Sequence, residues 1–137
     1  MRVAMALKAD YANVTIDGKL NILGVFSEVN PPQLPFVLPM MSIIIFLEAD
    51  PGDYGVQKTI RLDLQNPNGR NVLPPLDFTV DVPAPASDQR PVSITQVTGL
   101  TSLVLQDPGE YRFVVSSQDQ QIDSFPMTVN TPKGGET

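Results

Sequence analysis

DPGEYRFVVSS (residues 107–117) joins a tight turn to a strand, and this segment decides the fold. Pro108 fixes one backbone dihedral angle, and Gly109 tolerates a positive φ, as a turn requires. After the turn, Tyr111, Phe113 and Val115 recur at every second position, which is the period of a strand with one buried face. The segment therefore predicts a turn that leads into a core strand.

The same period of two extends along most of the chain. It is clearest at residues 58–65 and 76–82, where apolar and polar side chains alternate. Further strands are predicted at residues 3–7, 20–27, 37–48 and 121–129, and at 92–106 as one strand interrupted at Thr98-Gly99 or as two short ones. Residues 43–47 are apolar on both faces, so they predict the central strand of a covered sheet.

Glycine and proline mark where these strands bend or end. Gly24 predicts a bulge or a close approach of another group, and Pro126 predicts an edge position or a bulge. The segment NPNG (residues 66–69) predicts a hairpin turn. VPAPASDQRP (residues 82–91) predicts a proline-rich connection.

Short strands separated by turn residues, without any long segment of helical period, predict an all-β fold. We expect an antiparallel β-sandwich of about 7–9 strands. Residues 1–130 form one domain in this interpretation, because a chain of 137 residues is long enough for one sizeable core. Residues 131–137 are small and polar, and they predict a flexible C-terminal tail.

The spacing D-x-G-x-Y at residues 107–111 resembles the segment that precedes strand F in immunoglobulin-like sandwiches. There the tyrosine hydroxyl bonds back to the backbone in a tyrosine corner, which the resemblance implies for Tyr111. Phe113 stands where secreted domains of this class carry a cysteine, and Phe46 is a candidate for their missing tryptophan. An immunoglobulin-like sandwich is thus the prediction, with jelly-roll and C2-like folds as alternatives.

A second resemblance extends over most of the chain. ADYA (residues 9–12), GKLNI (18–22), GVF (24–26) and DPGEYRF (107–113) together resemble an uncharacterised family of small bacterial all-β proteins. The resemblance implies a bacterial or phage source and a compact all-β domain. The family supplies no functional residue to carry over.

Composition excludes several classes of function. The chain has neither histidine nor cysteine, so it holds no histidine-based catalytic triad, no thiolate nucleophile and no Cys/His zinc site. It also lacks the glycine-rich motifs that cradle phosphate groups. We therefore expect a protein that is not an enzyme and uses no cofactor.

Charge and hydrophobicity bear on partners and location. The net charge of -6 opposes binding to nucleic acid, which depends on basic groups. No apolar stretch approaches the roughly 20 residues of a membrane span, and the N-terminal apolar run is too short for a secretion signal. We expect a cytoplasmic protein that binds neither nucleic acid nor membrane.

A ligand-binding module is the alternative function. Glu48, Asp50 and Asp53 place three carboxylates within six residues, which is the oxygen chemistry that calcium prefers. The same residues are also ordinary turn chemistry on the surface of an acidic protein. Carbohydrate binding is a further possibility for a sandwich, although the chain has no tryptophan to stack on a sugar.

A protein interface is the preferred function. Residues 30–41 contain four prolines, several large apolar side chains and no charge, and such a segment on the surface is typical of an interface. The interface candidates are Leu34, Phe36, Leu38, Met40 and Tyr54. The alternative is that this segment caps the open end of the core. We expect a non-enzymatic module that binds protein, either as a homo-oligomer or within a larger assembly.

Overall fold

The computed structural model describes residues 1–85 and 92–133, which form two β-sheets packed face to face. Within these residues there are nine strands and a single 3-10 turn at Pro51–Asp53. The strands are β1 (Arg2–Val14), β2 (Leu20–Phe26), β3 (Glu28–Val29), β4 (Phe36–Glu48), β5 (Gln57–Gln65), β6 (Leu76–Asp81), β7 (Ser93–Leu105), β8 (Gly109–Ser117) and β9 (Gln120–Val129). The all-β prediction and the number of strands are confirmed.

The first sheet has four strands in the order β2-β1-β4-β7. Strand β4 therefore lies at its centre, paired with β1 on one side and with β7 on the other. Ile43, Ile45 and Leu47 of β4 are fully buried in the core between the sheets. This confirms the central, covered strand predicted from residues 43–47.

The second sheet has five strands in the order β3-β9-β8-β5-β6. All strand pairs in this sheet are antiparallel except the short pair β3 and β9. That pair is parallel because the chain crosses from the first sheet after β2 and enters the second sheet beside β9. Strand β3 reaches β9 at Thr128 and Val129. Pro126 therefore lies where β9 has β8 as its single partner in the described residues, so its edge position is confirmed.

Two strands are longer than the sequence pattern indicated. Strand β1 continues through Val14, and its second half pairs with β2, although the sequence pattern predicted a strand only at residues 3–7. Strand β7 is continuous, so the predicted break at Thr98-Gly99 was wrong. In both cases the neighbouring strand supplies backbone partners, and backbone pairing tolerates polar residues and glycine that a hydrophobic pattern treats as interruptions.

The predicted tyrosine corner is present at the start of β8. The hydroxyl of Tyr111 donates a hydrogen bond of 2.8 Å to the carbonyl oxygen of Asp107, and Tyr111 is buried. Gly109 has a φ of 131°, and a Cβ atom there would lie 2.8 Å from the side chain of Pro67. The two turns singled out in the sequence, at residues 66–69 and 107–109, therefore pack against each other.

The two aromatic residues compared with sandwich core positions behave differently. Phe113 is fully buried and stacks on Phe125 with 5.2 Å between the ring centroids. Phe46 shares a face of β4 with Ile44 rather than with Ile45, so it points away from the space between the sheets. The prediction that Phe46 fills a tryptophan position in the core was wrong, because the alternation of β4 places it on the other side.

Parts of two further predictions lie outside the described residues. These are residues 86–91 of the proline-rich connection and residues 134–137 of the predicted tail. Within the described residues, the structure contains no helix that is long and apolar enough to cross a membrane.

Candidate protein-binding face

The outer surface of the four-stranded sheet is unusually apolar. Strand pairing brings its side chains into rows, since residues directly opposite each other project on the same face of a sheet. The first two rows are Met5 with Phe46 and Thr95, and Leu7 with Ile44 and Val97. The next two are Val25 with Ala9, Ser42 and Gly99, and Leu23 with Tyr11. Met40 projects on the same side further along β4. We call this surface the apolar face.

Large apolar side chains on this surface are exposed to solvent. The exposed fractions are 69% for Leu23, 59% for Val25, 50% for Met5, 48% for Met40 and 44% for Tyr11. Beneath them, Ala9, Ala12 and Ile44 are buried, and Leu7, Leu20, Ile22, Phe46 and Val97 pack against them. The apolar face is therefore a continuous surface with a packed floor, not a set of isolated exposed residues.

Polar and charged residues border the apolar face but do not enter its rows. At one end, the guanidinium of Arg2 forms an ion pair with the carboxylate of Glu48. At the other end, the side-chain amide of Asn21 donates a hydrogen bond of 3.1 Å to Asn13. Between these two ends, the rows from Met5 to Tyr11 carry no formal charge.

The outer surface of the five-stranded sheet has the opposite character. Arg61 forms an ion pair with Asp77, with a distance of 2.8 Å between the guanidinium and the carboxylate. The shallow concavity around this pair is lined by Thr59, Asp63, Ser116, Gln118 and Asp119. A polar outer surface is the ordinary case for a sandwich, so the apolar face on the other sheet requires a separate explanation.

The interface residues predicted from the sequence are separated in the structure. Leu34, Phe36, Leu38 and Tyr54 are half-buried and pack against the core between the sheets. This placement favours the alternative interpretation, in which residues 30–38 cap the core. Met40 differs from the other four, because it is exposed and belongs to the apolar face.

The sequence pattern did not reveal the remaining residues of the apolar face. In β2 both faces carry apolar residues: Phe26 packs against the core between the sheets, Leu20 and Ile22 pack against the cluster of Ala9, Ala12 and Ile44, and Leu23 and Val25 are exposed. A strand that is apolar on both faces is usually buried on both. Sequence alone therefore does not distinguish a buried face of β2 from an exposed one. A strand that is apolar on both faces is nevertheless the signal that could have located the apolar face.

The three carboxylates proposed for calcium are engaged with cations. Asp53 is buried and contacts the ammonium of Lys58 at 2.8 Å and the α-ammonium of Met1 at 2.8 Å. Asp50 contacts the same α-ammonium at 2.6 Å, and Glu48 pairs with Arg2. Among the described residues, no group of three or more Asp, Glu, His or Cys side chains is arranged to hold a metal ion. The structure does not support a calcium site at these residues.

These contacts perturb the protonation of the groups involved. The hydrogen bonds from Lys58 and from the α-ammonium of Met1 lower the pKa of Asp53 well below its usual range. Burial opposes the charge of the α-ammonium, but Asp50 and Asp53 together raise its pKa above the ordinary value. The arrangement is a compact ion network that ties the start of β1 to the turn after β4.

One cation is buried without an ion-pair partner in the described residues. Lys8 projects from β1 into the space between the sheets, with an exposed fraction of 8%. Its ammonium lies 5.4 Å from the centre of the Phe125 ring, and burial lowers the pKa of Lys8. The aromatic ring offers the ammonium a cation–π contact.

Two packed β-sheets with a tyrosine corner between β7 and β8 define an immunoglobulin-like β-sandwich. Within that class the chain belongs to a family of unknown function, DUF6941, whose pattern matches residues 4–130. The resemblance to an uncharacterised all-β family is thus confirmed. A search of the curated proteins found no match.

Solved structures that superpose with TM-scores above 0.5 support the fold. A β-glucosidase from Listeria innocua superposes with a TM-score of 0.52 and 19% identity, covering 77% of this chain and 15% of the enzyme chain. The same enzyme in complex with isofagomine gives a TM-score of 0.51 at 19% identity, with the same coverage. An immunoglobulin-like protein from Pseudomonas aeruginosa has 14% identity over 94% of this chain and 95% of that chain, with a TM-score of 0.42. This chain spans about 15% of the glucosidase, and at this identity the likeness concerns the fold alone.

Proposed function

We propose that this domain is a non-enzymatic protein-binding module and that its partner docks on the apolar face. The observation that carries the proposal is the uncharged cluster of exposed apolar side chains around Leu23, Val25 and Tyr11. Proteins rarely leave a contiguous apolar surface in water unless it contacts another molecule. Tyr11 adds an aromatic side chain with a polar tip, a residue type enriched at interfaces.

The size of the surface fits a protein contact. Four strands about 4.8 Å apart, with rows about 6.8 Å apart along them, give a patch of about 500 Å². A stable complex buries about 800 Å² on each partner. The apolar face would therefore form the centre of such an interface, and the polar border at Arg2, Glu48, Asn13 and Asn21 would form its rim.

The charge distribution favours protein over other partners. The net charge of -6 lies outside the apolar face and repels the phosphates of nucleic acids and anionic lipids. The cytoplasmic location inferred from the sequence stays a prediction. A partner whose interface centre is apolar and uncharged, with polar groups at its border, complements this surface best.

Site-specific photo-crosslinking in living bacteria tests the proposal. A photoreactive phenylalanine analogue in place of Val25 is expected to trap a protein partner as a discrete heavier species. The matched control carries the same analogue at Thr79, which is exposed on β6 of the other sheet, and it should trap none. Equal products at both positions, or none at Val25, would contradict the proposal.

A charge substitution provides the second test. Leu23→Lys places an ammonium in the apolar face and should abolish the crosslink formed at Val25. Thr59→Lys adds the same charge to the polar face of the five-stranded sheet and should leave that crosslink unchanged. Both positions are exposed, so both variants should keep the stability of the parent chain.

A further inference from the structure

The free edge of β7 differs from the other sheet edges. β7 ends the four-stranded sheet, and among the described residues no strand pairs with it on the side away from β4. It is 13 residues long and contains neither a charged residue nor a proline. Its residues 93–101 pair with β4 without interruption, and the pairing resumes in the same register after Ser102, which has a φ of 56°.

The other three edges are protected against pairing. Strand β3 has 2 residues, and β2 has 7 with Gly24 at a φ of 71°. Strand β6 carries Asp77 and Asp81 on its 6 residues. Short length, irregular backbone and charge are the usual means by which proteins prevent edge-to-edge pairing. β7 has none of these over about 30 Å of extended strand.

We propose that β7 pairs antiparallel with β7 of a second copy of this chain, about a two-fold axis at Val97. The residues that meet would be Val97 with Val97, Thr95 with Gly99, Ser93 with Thr101, Ile94 with Leu100, and Gln96 with Thr98. This register uses all nine regular residues, keeps each face of the sheet continuous, and forms about eight to ten hydrogen bonds between the chains. It produces one eight-stranded sheet.

Side chains of matching polarity meet in this register. The amide of Gln96 lies opposite Thr98 of the second copy, Ser93 lies opposite Thr101, and Val97 lies opposite itself. The strand is therefore complementary to a second copy of itself, which supports both the register and the identity of the occupant.

Charge also favours a second copy. Two chains that each carry a net charge of -6 repel one another, so contact between copies requires a surface without like charges opposite each other. Every residue of the β7 edge is uncharged. The contact leaves the apolar face of each copy free and places the two side by side. It therefore goes beyond the proposed function and does not depend on it.

Cysteine crosslinking of the full chain tests the register. The chain has no native cysteine, so Val97→Cys introduces a single thiol on the axis. Residues opposite each other have Cβ atoms about 4.5–5.5 Å apart, close to the separation in a disulfide. We expect oxidation to link Val97→Cys into a dimer. The control Thr101→Cys would hold its two thiols about 27 Å apart and should remain monomeric.

Sedimentation of the chain without cysteine tests the interface itself. The parent chain should form dimers over about 1–100 μM. Ser93→Lys with Thr101→Lys places lysines opposite each other at both ends and should weaken the dimer by about tenfold. Ser93→Lys with Thr101→Glu, which differs at one position, should restore it. Leu23→Lys should leave the dimer intact, which separates this proposal from the function of the apolar face.

A parent chain that stays monomeric over this range would overturn the proposal, and so would equal crosslinking of Val97→Cys and Thr101→Cys. Loss of the dimer in Leu23→Lys would also overturn it, because that result would assign self-association to the apolar face.

Discussion

The hydroxyl of Tyr111 donates a hydrogen bond of 2.8 Å to the carbonyl oxygen of Asp107 and lies 3.3 Å from the backbone N–H of the same residue. The backbone N–H and the backbone carbonyl of Asp107 therefore both have a hydrogen-bond partner in one side chain, four residues further along the chain. The turn between β7 and β8 is closed by this contact.

Tyr111→Phe should lower the free energy of unfolding by about 1–2 kcal/mol. The substitution removes the hydroxyl and leaves the backbone groups of Asp107 without their partner. Urea denaturation of the two chains measures the difference. Tyr11→Phe, at an exposed position, is the control and should change stability little. Equal effects of the two substitutions would show that the corner contributes no specific stability.

Gly24→Ala should destabilise the chain by about 1–3 kcal/mol. Gly24 has a φ of 71°, and a Cβ atom there would lie 2.9 Å from Cγ of Asp10 on the neighbouring strand. This also confirms the close approach predicted at Gly24. Thermal unfolding measures the effect, and Gly52→Ala is the control because its Cβ would meet no atom within 4 Å.

A second substitution separates the two causes at Gly24. Asp10→Ala in the Gly24→Ala background should recover the part of the loss that comes from the steric contact. The cost of the positive φ should remain. No recovery in the double variant would mean that backbone strain accounts for the whole effect.

The ion network at Asp53 should make stability depend on pH in the acid range. Because its folded-state pKa lies below the unfolded value, the carboxylate of Asp53 stabilises the fold above the unfolded pKa of about 3.9. That contribution is lost as the pH falls further toward the folded pKa. When unfolding is measured from pH 7 to pH 2, the free energy of unfolding should therefore fall less in Asp53→Asn than in the parent chain.

The control for this pH dependence is Asp119→Asn, in the exposed turn between β8 and β9. It should follow the parent curve over the same range. If Asp53→Asn did so as well, the contacts with Lys58 and Met1 would contribute nothing to stability at neutral pH.

Lys8→Met should stabilise the chain by about 1 kcal/mol at pH 7. The substitution removes a charge that burial disfavours and keeps a side chain of similar length. Because burial lowers the folded-state pKa of Lys8, the unfolded state binds more protons and the parent chain gains stability as the pH rises toward 10. The advantage of Lys8→Met should therefore shrink in alkaline solution.

Denaturant unfolding at pH 7 and pH 10 checks this expectation. Lys19→Met, at an exposed lysine, should not change the difference between the two pH values. A destabilised Lys8→Met chain would show that the contact between the ammonium and the ring of Phe125 outweighs the cost of burial.

Local chemistry explains why parts of the fold were predictable. Turns depend on residues adjacent in the chain, so the segments at 66–69 and 107–111 could be located from proline, glycine and tyrosine spacing. The alternation of Ile60, Leu62 and Leu64 likewise requires no knowledge of distant residues. Pairing between strands depends on distant partners, and for that reason the extension of β1 to Val14 and the continuity of β7 at Gly99 were missed.

The candidate site was less accessible from the sequence. An apolar segment has the same composition whether it caps the core or forms an interface. The structure places Leu34, Phe36 and Leu38 against the core and leaves Met40 exposed. Glu48, Asp50 and Asp53 suggested calcium because two of their three cationic partners are remote in the chain. Arg2 and Met1 precede them by more than 40 residues, and Lys58 alone is close in sequence.

The sequence by itself determined the all-β class, the turns, the tyrosine corner and the central strand of the first sheet, since each of these follows from side chains a few residues apart. Tertiary structure alone decided which apolar side chains are buried. Phe26 and Val25 are adjacent apolar residues of β2, yet Phe26 packs against the core between the sheets while Val25 is exposed. Burial depends on what packs against a face, and that is set by the arrangement of whole sheets.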